Sequence, residues 1–476
     1  MATTLQLHDY DSAVDFLFGR INYEQATQIP YRSREFKLQR MEDLLALLDN
    51  PHHRFPAVHI AGTKGKGSTA AMTEAILRAA GLHTGMYTSP HLERIEERFA
   101  IDGLPCSEAI FVDAVREVEP VIRDLDQQGQ QNGEAGPTYF ETTTAIAMLI
   151  FAQAEVDMAV LEVGLGGRLD STNVCRPLVS IITSISYDHT QQLGKTLTSI
   201  AREKAGIIKP GVPLVSGALH PEAADVIRRG AQQMNAPYAE LQRDFGMRDG
   251  NAGGLTYWHE DEFDQSTIDD ISLAMCGAHQ AENAALAIAA VGRLTGFASA
   301  ITPAAIRTGL SQATCPARVE VLSRHPLVIL DAAHNVASCR ALVESLEQHF
   351  PQCRQRTLIL ATSNDKDLSG MLEILLPAFD RVVFTRYQNN PRSTDPQKLL
   401  SIAQSLLPGE APAKRLQSAA TPAEAISMVE LPSSDDQMLC VAGSFFLAGE
   451  VRPLLKQRLV QHTSHEEAGA PPLSLR

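Results

Sequence analysis

The residues best suited to chemistry lie in one run, Gly62-Thr63-Lys64-Gly65-Lys66-Gly67-Ser68-Thr69. It follows a short apolar stretch, Ala57–Ala61, and precedes a helical pattern from about Ser68 to Ala80. Glycines let a backbone curl so that successive N–H groups point at an anion, and a helix N-terminus adds partial positive charge. Lys66 can reach terminal phosphates, and the Ser68 or Thr69 hydroxyl can touch a phosphate or its metal. The strict phosphate-loop pattern is not met, because Gly67 separates Lys66 from Ser68 and Ile60 stands where the first glycine belongs. The position between strand and helix still favours nucleotide phosphates over a ligand-free turn.

Three further places carry functional groups. Glu162 closes the apolar run Met158–Leu161, and an acid at the carboxyl end of a strand beside a phosphate loop can hold Mg²⁺. Taken alone it is more often a surface acid at a strand end. Asp188-His189 follows another apolar run ending at Ile185. A histidine there is more often structural, and magnesium prefers oxygen ligands. Lys204, in Arg202-Glu203-Lys204-Ala205-Gly206, reads from its neighbours as a solvated lysine on a helix face.

The elements that must position these groups alternate. Helical periodicity marks 12–18, 35–49, 142–153, 197–205 and 281–294, with strands at 57–61, 158–163, 178–185 and 212–215. A second series has strands at 319–322, 327–330, 357–361, 381–385 and 438–442, with a helix over 337–349. Strand–helix–strand order predicts α/β architecture with mostly parallel sheets. Two stretches read as surface connections, Gln127–Gly136 and Gly246–Asp270, the latter as a loop or hairpin. The expected division is residues 1–315, 316–462, and a disordered tail over 463–476.

Composition narrows the class. The chain of 476 residues is 44% hydrophobic, enough for a large core, and its formal net charge of −15 argues against a nucleic-acid binder. Seven scattered cysteines without a CxxC pair fit neither a disulfide framework nor a zinc site. No signal peptide or apolar span is legible, so the expected setting is cytoplasmic, without a membrane partner.

Taken in order, HIAGTKGKGST, GMYTSPHL, TYFETTTA, LEVGLGGRLDSTN, SYDHTQQLG, IAREKAGIIKPG, GAHQAENAALA, LDAAHN and AGSFFLAGEV resemble folylpolyglutamate synthase/dihydrofolate synthase, within the Mur ligase superfamily. The resemblance implies a P-loop-type ATPase domain followed by a smaller Rossmann-like α/β domain. It implies ATP on Gly62–Thr69, Asn283, Arg318 and Asp331, and one or two Mg²⁺ ions on Ser89, Glu162 and His189. By the same resemblance Lys204 becomes a carbamate that ligates a second metal, and Thr138, Tyr139, Phe140, Glu141, Asp170 and Leu38 lie around the pterin. His334 is the candidate for orienting an acyl phosphate or handling a proton. Two departures stand out: Lys64 replaces the family's usual Asn, and Val336 replaces the Pro after LDAAHN.

The implied activity is ATP-dependent ligation of L-glutamate to the carboxylate of a folate, with dihydropteroate as a further acceptor, by a monomer. Closure of the two domains would complete the site. One rival, a muramyl-type ligase of cell-wall precursors, would carry a substantial domain before the loop, where this sequence has 61 residues before Gly62. Another, a nucleotide switch without ligase chemistry, leaves Lys204, Ser89 and LDAAHN unexplained together.

Overall fold

The computed structural model describes residues 9–24, 38–250, 253–260, 265–407 and 415–469. The chain divides into two compact units, one comprising 1–274 with 280–314 and the other 275–279 with 315–476.

The first unit is built on an eight-stranded sheet of order β4-β3-β2-β5-β1-β6-β7-β8. Its strands are β1 (Ala57–Ala61), β2 (Thr84–Tyr87), β3 (Phe99–Ile101), β4 (Leu104–Pro105), β5 (Met158–Glu162), β6 (Pro177–Ile182), β7 (Leu214–Ser216) and β8 (Tyr238–Glu240). From β2 to β8 every neighbouring pair is parallel, and β3 and β4 finish one edge antiparallel. β1 and β5 are buried along their whole length, which explains why both read as unbroken apolar runs. The exception is His59, wholly buried in β1, where Nε2 lies 2.8 Å from Thr172 Oγ1. Burial first, with Lys209 adding to it, lowers its pKa to about 3, so the ring is neutral.

Because β1 sits between β5 and β6 while the chain leaves it for β2, the crevice at its carboxyl end is a topological switch point, where α/β sheets bind ligands. The helix Lys66–Ala79 starts there, two residues earlier than its periodicity suggests. The polar run Gln127–Gly136, expected as a loop, instead extends a 25-residue helix, Glu108–Asn132. Its first half buries Phe111, Val115, Val118 and Ile122, while Gly133 at φ 69° stops it in a left-handed C-terminal turn. The terminal turns have no apolar face to display a period. Residues 245–271 form a three-stranded antiparallel sheet of order β11-β10-β9, from β9 (Phe245–Asp249), β10 (Leu255–Glu260) and β11 (Gln265–Ile271). The helix Leu38–Leu47 begins at the edge of the described residues, so the expected start at 35 lies outside them.

The second unit carries a six-stranded sheet of order β12-β13-β17-β14-β15-β16. These are β12 (Glu320–Arg324), β13 (Leu327–Leu330), β14 (Gln355–Leu360), β15 (Arg381–Phe384), β16 (Leu416–Ser418) and β17 (Gln437–Ala442). Only β12 runs antiparallel to its neighbour. One face packs on Leu342, Leu346, Met371, Leu372, Leu375 and Phe379, all buried. The closing helix Phe445–Gly469 continues past Thr463, where an irregular tail was expected, and residues 470–476 lie outside the described ones.

Candidate active site

The loop after β1 needs its glycines. Gly62 has φ 155°, and a Cβ there would fall 1.7 Å from Thr183 Oγ1. Gly65 has φ 85°, and its Cβ would lie 2.3 Å from Asn283 Oδ1. Loop and strand end are tied by Thr63 N–H donating to Ser184 O (2.7 Å) and Thr183 Oγ1–H donating to Lys64 O (2.7 Å). No side chain caps the helix that follows Gly65, leaving its first-turn amides and dipole open to an anion. Gly67, Ser68 and Thr69 occupy that turn, with Ser68 and Thr69 buried. Asn283, from the helix Ala278–Val291, donates Nδ2–H to Gln280 Oε1 (2.9 Å), and its Oδ1 is 3.4 Å from Thr69 Oγ1.

Glu162 gathers the metal-side groups. Its carboxylate stands 3.9 Å from Lys66 Nζ and accepts the Ser89 N–H at 3.4 Å. His189 begins a short helix at φ 46°, half exposed, its Nε2 3.9 Å from Asp188. The Glu162 carboxylate and Ser89 hydroxyl are the oxygen donors that a magnesium ion prefers, whereas the His189 imidazole is not.

Lys204 is not the solvated lysine its neighbours suggest. It is 4% exposed, on the inner face of the helix Leu197–Ala205, and donates Nζ–H to Gly62 O at 2.7 Å. Burial first, then the Lys66 charge, pulls its pKa down to about 7 against the pull of Asp188 and Asp170. Sequence spacing gives no sign of this, since the polar neighbours Arg202 and Glu203 hide the one inward turn.

The pterin-side set divides by role. Thr138 and Glu141 form a capping box that starts the helix Tyr139–Gln153, and Glu141 also pairs with Arg40 at 2.8 Å. Tyr139 is buried, stacked on Phe18 at 5.5 Å and covered by the Arg98 guanidinium at 5.3 Å. Phe140 faces the Gly164 loop so closely that a Cβ on Gly164 would fall 2.5 Å from its ring. Asp170 accepts from Leu165 N (2.9 Å), Thr172 N (3.0 Å) and Thr172 Oγ1 (2.6 Å), shaping that loop while burial raises its pKa. Leu38, on the same helix as Arg40, lines a cavity with His52 and Lys209.

Arg98 was not singled out by sequence. Wholly buried, it grips Glu24 with both terminal nitrogens (2.9 and 2.6 Å) and donates Nε–H to His91 Nδ1 at 2.9 Å.

In the second unit Asp331 closes the carboxyl end of β13 and accepts from Val319 N (2.8 Å) and Ala333 N (2.6 Å). Burial raises its pKa and Arg318 opposes that. Arg318 lies 4.7 Å over the Phe445 ring, between Ala317 and Val319 at φ 55° and 47°. A β-branched residue in the left-handed region is strained, and the bond to Asp331 holds it. His334 lies 2.9 Å through Nδ1 from Ala332 O; a carbonyl only accepts, so Nδ1 carries a proton. Beyond β15, side-chain atoms of Asn390, Ser393 and Thr394 are buried without a hydrogen-bond partner.

A phosphate loop at a switch point and a second α/β unit with its own polar strand ends define an ATP-dependent acid–amino-acid ligase of the Mur type. The chain matches the Mur ligase middle domain over residues 60–291 and the Mur ligase glutamate ligase domain over 317–445. It is 35% identical over 421 residues to dihydrofolate synthase/folylpolyglutamate synthase of Bacillus subtilis, covering 88% of this chain and 95% of that protein. Mycobacterium tuberculosis folylpolyglutamate synthase complexed with ADP superposes with a TM-score of 0.80 at 33% identity, over 94% of this chain and 98% of that one. E. coli FolC in complex with DHPP and ADP gives 0.76 at 28%, over 96% and 100%. The chain therefore belongs to the folylpolyglutamate synthase/dihydrofolate synthase family.

Proposed function

We propose that the protein joins the amino group of L-glutamate to the carboxylate of a folate, and of dihydropteroate, at the expense of ATP. The observation that carries this reading is the convergence of Lys66, Ser89 and Glu162 beside an uncapped helix start. The acceptor carboxylate attacks the γ-phosphorus and ADP leaves, giving an acyl phosphate. The glutamate amine then attacks the acyl carbon, phosphate departs, and the amine loses a proton. Lys66 and the loop amides neutralise charge on the transferring phosphoryl oxygens. His334 is the residue taken to receive the amine proton.

Mg²⁺ held by Ser89, Glu162 and His189 would supply further charge neutralisation on the phosphates. Lys204, with its pKa near 7, has the neutral amine that reaction with CO₂ requires, and a carbamate there would turn a cation into an oxygen ligand. Phe140 supplies an aromatic face for a pterin ring beside the Asp170-shaped loop. The donors of Asn390 and Thr394 offer partners to the carboxylates of glutamate. Arg318 and Asp331 are taken as nucleotide contacts, and the working form as a cytoplasmic monomer.

The decisive assay is ADP release by purified protein. Release that requires both glutamate and a pteroate or folate supports the proposal, and equal release without either overturns it. Separate reactions with dihydropteroate and reduced folate monoglutamate divide the two activities.

A further inference from the structure

A cavity of about 540 Å³ opens in the first unit, away from the phosphate loop. Asn50, His52 and His53 in its wall precede β1, Cys175 and Arg176 precede β6, and Val212 precedes β7. It therefore lies at the amino ends of strands whose carboxyl ends carry the site. Five residues of strand, at roughly 3.3 Å each, put on the order of 15 Å between the two.

The wall sets Arg176 and Lys209 against one carboxylate, Glu42, in a chain whose formal net charge is −15. Arg176 is exposed and, among the described residues, has no ion pair or hydrogen bond. Lys209 donates Nζ–H to the Asn173 main-chain oxygen at 2.7 Å and has no carboxylate within ion-pair distance, though Glu42 lies near enough to favour its charge. His52 and Asn173 are 7% and 5% exposed, and His52 Nδ1 and Asn173 Oδ1 have no partner. Leaving buried polar atoms unsatisfied costs about 1–3 kcal/mol each, and these two lie just behind a wall whose two cations face a single carboxylate, Glu42. The Asn173 amide is not free to turn away, because Nδ2 donates to Arg168 O (3.1 Å) and Gly206 O (3.0 Å).

We infer that this cavity is a second ligand site, for a small anion bearing phosphate or several carboxylates, with Arg176 and Lys209 as its charge partners. The volume falls within the usual range for small-molecule pockets, roughly 300–1,000 Å³. Occupancy would be felt at the active site through Asn173, whose amide grips the turn that ends the Lys204 helix.

Calorimetric titration with inorganic phosphate and with citrate tests this in a Lys66→Ala background, which weakens anion binding at the phosphate loop. Saturable binding of either probe, weakened tenfold or more by Arg176→Glu and by Lys209→Met, is the expected result. Tighter phosphate binding assigns a phosphorylated ligand, and tighter citrate binding a polycarboxylate. Arg176→Glu alone keeps the test sound, because an exposed, unpartnered guanidinium is not needed for folding. Absence of binding, an affinity unchanged by Arg176→Glu, or displacement of the probe by pteroate would each overturn the assignment.

Discussion

Lys204 Nζ donates to the main-chain oxygen of Gly62 at 2.7 Å, so the lysine proposed to become a carbamate is hydrogen-bonded to the first residue of the phosphate loop. That contact, made across 142 residues of sequence, holds the amine in a dry pocket where its proton is easily lost.

From this follows a dependence on pH and on dissolved CO₂. With its pKa near 7, Lys204 is about half uncharged at pH 7 and roughly one-tenth uncharged at pH 6. Only the uncharged amine takes up CO₂. Turnover in CO₂-depleted buffer should fall severalfold, recover on adding bicarbonate, and recover less at pH 6 than at pH 8. Initial rates with and without bicarbonate at the two pH values check this. Indifference to bicarbonate would remove the carbamate from the proposal.

Replacing Lys66 by alanine should lower glutamate-dependent ADP release by at least about a hundredfold, the scale for losing one donor to developing charge. Because Lys66 is only 3.9 Å from Glu162 and partly exposed, its loss should leave the melting temperature nearly unchanged. Paired kinetics and thermal melts make the comparison.

A methyl group at Gly65 meets Asn283 Oδ1 at 2.3 Å from a backbone at φ 85°. Gly65→Ala should therefore cost about 1–2 kcal/mol of backbone strain and displace Asn283. The expected signature is a raised KM for ATP with the KM for the folate unchanged.

Asp170→Asn keeps the shape but turns one of the two oxygens that together accept three hydrogen bonds into a donor. Destabilisation of about 1–3 kcal/mol in urea unfolding is expected, together with weaker pteroate binding as the loop from Gly164 loosens.

Asn390 receives the Arg392 N–H on Oδ1, leaving Nδ2 as the donor proposed for glutamate. Asn390→Asp retains the first contact and sets an anion against the substrate. Its KM for glutamate should rise tenfold or more while the KM for ATP stays constant, as steady-state kinetics would read.

How much of this was legible depended on where each side chain's partner lies. β1, β5 and the loop between strand and helix could be read because buried parallel strands are apolar along most of their length and glycines mark the turn. Strands β2 to β4 escaped notice: they are 4, 3 and 2 residues long, too short for a period to show. Glu162 and His189 were visible as polar residues at strand ends. Arg98 was not, since its partners Glu24 and His91 come from separate segments and its own neighbours are charged. The roles of Thr138, Glu141 and Asp170 as backbone organisers were hidden for the same reason, because a capping side chain and a ligand-binding one have identical chemistry in sequence.

The left-handed residues on either side of Arg318 carry a lesson for anyone who would harden this protein against heat. Glycine at Ala317 or Val319 would relieve the contorted main chain. It would also let the guanidinium swing off the Phe445 ring. Tension retained at that corner keeps a long, flexible cation pointed in one direction, and a relaxed variant would be a less well-aimed one.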